Sequence, residues 1–119
     1  MTINDTRHRA SLGDRDAAGA FVAKLRGRYD ISEVIAFGSR ARGESRPDSD
    51  LDLAIVLKGD RGSFLDTKLD MAGTAFDVLL ETGILVRALP LWADDIEHPE
   101  RFPNPALIRA IARDGIRFW

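Results

Sequence analysis

Residues 50–57 read Asp-Leu-Asp-Leu-Ala-Ile-Val-Leu (DLDLAIVL). A strand sends successive side chains to opposite faces, so Leu51, Leu53, Ile55 and Leu57 share one face and Asp50, Asp52, Ala54 and Val56 the other. The second half is apolar on both faces, which predicts a central strand covered on both sides. Asp50 and Asp52 leave one face with Cα atoms about 7 Å apart. Aspartate is a poor strand former, and like charges on one face repel. Two carboxylates at the mouth of a buried strand therefore ask for a cation. Oxygen donors with no His or Cys nearby suit Mg²⁺, which keeps waters and substrate phosphates as its other ligands. The alternative is that both aspartates only solvate a strand end.

The preceding residues weigh between these readings. ISEVIAF, residues 31–37, is short, β-branched and aromatic, and reads as a strand. It ends at Gly38-Ser39, and RARGESRPDS, residues 40–49, follows as a basic loop with room for one helical turn. Glycine lets the backbone approach a ligand closely, and Ser39 offers an N–H and a hydroxyl. A short helix opening near Arg40 would aim free N–H groups at the same place. Arg40, Arg42 and Arg46 add positive charge, and a guanidinium can grip phosphate oxygens in a forked geometry. The loop lacks the Gly-Lys-Ser/Thr ending of a Walker A loop. A plain turn with solvated arginines is the competing reading. What separates the two is the combination: a phosphate-holding turn ends one strand and a carboxylate pair opens the next.

Outward from this pair of strands, the chain alternates helix and strand. Ala17, Ala18, Phe21, Val22 and Leu25 recur at helical spacing and predict a helix from about Asp14 to Arg28. Ser63, with Asp66 three residues on, predicts a capped helix running to about Ala72 and ended by Gly73, with Leu65, Leu69 and Ala72 inward. TAFDVLLE, residues 74–81, reads as a third strand, and ILVRALPLW, residues 84–92, as a fourth in which Pro90 favours an edge or a strand end. Asn104-Pro105 opens a helix with Leu107, Ile108, Ile111 and Ala112 inward, Gly115 closes it, and IRFW ends the chain as a short strand. The expected fold is α/β (α+β): a small mixed sheet of four or five strands with helices packed on it. A polar arm over residues 1–12 precedes one domain over residues 13–119.

The 119 residues carry 17 Lys and Arg against 19 Asp and Glu, a net charge of −2, which argues against stable nucleic-acid binding. No Cys and two His, His8 and His98, exclude a disulfide framework, a thiolate nucleophile and a multi-His metal site within one chain. No run approaches the roughly 20 apolar residues of a membrane helix, nor a signal-peptide core, so a cytoplasmic protein is expected. Leu91, Trp92, Phe102, Phe118 and Trp119 either complete a small core or offer a contact surface.

GSRARGESRPDSDLDLAIV, residues 38–56, resembles the signature of the DNA polymerase beta-like nucleotidyltransferase superfamily: Gly-Ser, ten residues, then Asp-x-Asp inside an apolar strand. Here it falls on Gly38, Ser39, Asp50 and Asp52. The closing NPALIRAIARDGIRFW looks similar to the small stand-alone members, the minimal nucleotidyltransferases (MNT), which include the MntA-like antitoxins. The resemblance implies a third metal-binding carboxylate on a later strand, for which Asp77 in AFDVLL is the candidate and Glu81 the fallback. An edge-strand charge that blunts aggregation is the other use for Asp77.

The same resemblance implies transfer of AMP from ATP to a hydroxyl with release of pyrophosphate. Asp50, Asp52 and Asp77 would hold two Mg²⁺ ions, with Asp77 as a general base. Gly38, Ser39, Arg40 and Arg42 would hold the nucleotide. Larger members carry extra domains for the acceptor, and this length suffices only for the core. The minimal family pairs with small helical HEPN ribonuclease toxins, so the leading expectation is an antitoxin that AMPylates a tyrosine of such a partner. A small-molecule transferase of the aminoglycoside-modifying kind and a non-catalytic antitoxin that acts by binding are the alternatives.

Overall fold

β2 (Leu51–Leu57) is buried at every position, the central strand its sequence predicts. The computed structural model describes residues 12–41, 43 and 50–119. The expected polar arm lies outside these up to residue 11, as do Arg42 and Arg46. β2 pairs antiparallel with β1 (Ile31–Phe37) and parallel with β3 (Val86–Trp92), while β4 (Ile116–Arg117) adds antiparallel to the far side of β1. Among the described residues the sheet has four strands, in the order β3–β2–β1–β4. Pro90 sits on edge strand β3, where a missing N–H costs no ladder bond.

Both faces of the sheet are covered. Leu51, Leu53, Ile55 and Leu57 pack with Val34, Ala36, Val86 and Ala88 beneath two helices, α1 (Leu12–Leu25) and α3 (Phe64–Thr82). Ala54, Val56 and Leu91 face the other way, onto Phe102 and onto Ile108 and Ile111 of α5 (Pro105–Asp114). Between these lie the single turn α2 (Gly38–Ala41), the short α4 (Ala93–Glu97) and a 3₁₀ turn, Pro99–Arg101. Asp95 of α4 is fully buried, accepts from the Trp92 backbone N–H at 2.9 Å and pairs with Arg61. Among the described residues no helix is long and apolar enough to cross a membrane.

The predicted strand over residues 74–81 is not a strand. α3 begins where Ser63 caps it, accepting from the Asp66 N–H at 3.2 Å, and runs through Gly73 to Thr82. Gly83, at φ +80°, then ends it in the left-handed conformation. The reason is topological. β2 and β3 are parallel, and a parallel pair needs a long crossover, usually a helix. One glycine costs a helix only about 1 kcal/mol.

The inward face also differs from the predicted one. Met71, Thr74, Ala75 and Val78 are buried, whereas Leu65, Leu69, Phe76 and Leu80 are exposed, each by more than half. A hydrogen-bonded cluster fixes this rotation. Arg28, in the turn after α1, donates to Asp70 at 3.1 Å and to Thr74 at 2.7 Å, and the Tyr29 hydroxyl donates to Asp70 at 2.6 Å. Of the five apolar residues with two readings, Leu91, Trp92 and Phe102 belong to the core, Phe118 packs against it half-buried, and Trp119 is 46 % exposed.

Candidate active site

Asp52 stands where three strands line up. Its register partner on β1 is Phe37 and on β3 is Arg87, so the three side chains leave the same face, at the end of the sheet nearest α2. The chain leaves Phe37 through Gly38, which adopts φ +77°. A Cβ on Gly38 would collide with Asp52 Oδ2, so the left-handed turn and the close approach both call for glycine. The predicted juxtaposition of the Gly-Ser turn and Asp-x-Asp is therefore a direct contact.

Asp52 Oδ1 is engaged from the opposite side. Arg87 donates from Nε at 2.8 Å, and its Nη1 lies 3.7 Å from Asp50 Oδ2. Both aspartates thus reach one guanidinium, the convergence expected from residues two apart on a strand. The hydrogen bond and charge of Asp52, aided by Asp50, hold the Arg87 guanidinium above its ordinary value.

Ser39 is half-buried in the single turn of α2, which starts at Gly38 rather than near Arg40. Arg40 points into the protein: it is 9 % exposed and donates to Asp14 Oδ1 at 2.6 Å, tying α2 to α1. Arg42 lies outside the described residues.

Asp77 is not brought to Asp50 and Asp52. It is exposed on α3, and its charge acts on Lys24 of α1. The fallback, Glu81, lies one turn further on and pairs with Lys24 at 2.7 Å. Lys24 is raised by its hydrogen bond to Glu81 first and by the charges of Glu81 and Asp77 after it. Both carboxylates lie on the crossover helix rather than on the predicted strand, and this keeps them away from Asp50 and Asp52. Among the described residues no group of three Asp, Glu, His or Cys side chains could hold a metal ion.

Two adjoining hollows flank Asp52. One, of about 260 Å³, runs from Phe37, Gly38 and Asp52 to Leu107, Ile111 and Asp114 of α5. The other, of about 350 Å³, runs from Phe37 and Asp52 to Arg87, Leu89, Leu107 and Lys68 of α3. Phe37, Asp52 and Leu107 border both, so the two form one groove with apolar walls, charged at its ends. Arg87, Lys68 and Asp114 are the groove residues that the sequence reading missed. Arg87 carried one signal, as the lone charge in the apolar run VRALPLW, but only strand register sets it beside Asp52.

A comparison with curated proteins gives no match. Among solved structures, the chain is similar to a candidate nucleotidyltransferase from Sulfolobus solfataricus, with a TM-score of 0.58 and 23 % identity over 98 % of this chain and 85 % of that one. That likeness speaks for the fold. The family profile described as nucleotidyltransferase domain matches residues 20–116, which include β1, β2 and β3 and the Gly38–Asp52 corner. The chain belongs to the nucleotidyltransferase domain family.

Proposed function

We propose that this chain transfers AMP from ATP to a hydroxyl in the cytoplasm, and that the acceptor is a tyrosine of a partner HEPN-type ribonuclease toxin. The observation that carries nucleotidyl transfer is the contact of Gly38 with Asp52, because a turn that merely reverses the chain has no need to abut a carboxylate. In this reading the N–H groups of the Gly38 turn and the Ser39 hydroxyl hold phosphate oxygens. Phe37 and Leu107 offer apolar walls to the base.

In the reaction, the acceptor oxygen forms a bond to the α-phosphorus. The bond from that phosphorus to the β-phosphate oxygen breaks, pyrophosphate leaves, and the hydroxyl proton passes to water. Asp50 and Asp52, two hard oxygen donors converging on one positive charge, fit a single Mg²⁺. When bound, it would offset phosphate charge as a Lewis acid. A two-ion site held by three aspartates does not fit, since Asp77 is elsewhere.

A protein acceptor is supported by α3. Leu65, Leu69, Phe76 and Leu80 form an exposed apolar stripe opposite the buried one, and a helix apolar on both sides is normally covered on both. One observation favours a second reading, an antitoxin that acts by binding alone: Arg87 already neutralises part of the aspartate charge.

ATP labelled at the α-phosphate, with Mg²⁺ and the partner, separates the two. Label passing to the partner with the native chain and not with Asp52→Asn supports transfer. A tight complex carrying no label supports binding alone.

A further inference from the structure

The strand beside β2 carries, at the position facing Asp52, a charge of the opposite sign to the expected third carboxylate. β3 holds no acidic residue, and its only charged residue, Arg87, is the one the parallel register sets against Asp52. Asp52 Oδ1 accepts from Arg87 at 2.8 Å, while Oδ2 lies on the Gly38 side. A metal ion approaching Asp52 Oδ1 through the hollow that Arg87 lines therefore meets the guanidinium first. Arginine stays charged at any pH the fold survives, so this competition does not switch off. The Arg87 side chain is 66 % exposed on an edge strand, so its long stem can swing into the groove without disturbing the core. Lys68 lines the same hollow and adds a second positive charge.

We propose that Arg87 is a resident cation of the Asp50–Asp52 pair. It limits the pair to one divalent ion, which binds by displacing the guanidinium from Asp52 Oδ1. It also supplies the positive charge that a second ion would bring to a nucleoside triphosphate. The identity of the phosphate ligand rests on the nucleotidyl-transfer reading, whereas the ion count does not.

The test is a Mn²⁺ titration of the purified full chain, with free Mn²⁺ followed by electron paramagnetic resonance. The native chain is expected to bind no more than one equivalent. Arg87→Leu should tighten that binding by about tenfold, since one unit charge within about 4 Å is removed from the site. Arg87→Lys, which keeps the charge, should remain near the native affinity. Arg87→Asp should gain a second equivalent.

Two equivalents on the native chain, or an Arg87→Leu affinity equal to native, would overturn the proposal and leave the pair as an ordinary surface salt bridge. The expected Mn²⁺ pattern without any AMP transfer would contradict the transfer reading while upholding the single-ion site. AMP transfer by a native chain holding two ions would do the reverse.

Discussion

Gly38 and Asp52 are in contact across the β1–β2 pair, and the left-handed turn at Gly38 leaves no space for a Cβ beside Asp52 Oδ2. A local backbone conformation and a carboxylate position thus depend on each other. Gly38→Ala should cost about 1–3 kcal/mol through the forced φ alone and weaken ATP binding by displacing Asp52. Ser39→Ala should change stability by less than about 0.5 kcal/mol and still weaken ATP binding. Urea denaturation beside a nucleotide titration checks both.

The Arg40–Asp14 pair is nearly buried and joins α2 to α1, so it holds the turn from within. Asp14→Ala should cost about 3 kcal/mol, the range for breaking a buried pair. Replacing both partners, Asp14→Leu with Arg40→Met, should recover much of that loss. Failure of the double variant to exceed the single one in denaturation midpoint would argue against the pair as the cause.

Tyr29 gives the fold an alkaline limit. Burial first, and the hydrogen bond to Asp70 second, push its hydroxyl up to about 12 from 10.0. A raised folded-state value means that the stabilisation is complete below pH 10 and fades as pH rises towards about 12. Asp70 is lowered, by the Tyr29 hydrogen bond first and Arg28 after it, so its contribution is present above the usual carboxylate range and is lost on acidification. Tyr29→Phe should cost about 1 kcal/mol at neutral pH and flatten the stability profile between pH 10 and 12. An unchanged alkaline slope would refute the assignment.

The exposed stripe of α3 makes a separate prediction. Leu69→Asp with Phe76→Asp should leave the unfolding free energy within about 0.5 kcal/mol of native, because neither side chain is in the core. If the proposed HEPN-type partner binds this stripe, the same change should abolish their complex in size-exclusion chromatography.

Much of this architecture was legible in the sequence because it is locally encoded. β1 occupies the predicted ISEVIAF, and Ser63 and Asn104 cap their helices as their spacing requires. The errors came from non-local terms. TAFDVLLE is apolar enough for strand or helix, and the parallel pairing of β2 with β3 decided for helix. Both stripes of α3 are apolar, so periodicity alone could not choose between Leu65/Leu69 and Met71/Val78; Arg28 and Tyr29 gripping Asp70 did. The Gly38–Asp52 corner was readable as a motif. Arg87 was not, since its meaning lies in register with a strand 35 residues away in sequence.

The most direct test is the intact mass of the proposed partner protein after incubation with this chain, ATP and Mg²⁺. The account predicts increments of one AMP with the native chain and none with Asp52→Asn. A partner of unchanged mass in a stable complex with the native chain, or full modification by Asp52→Asn, would contradict it.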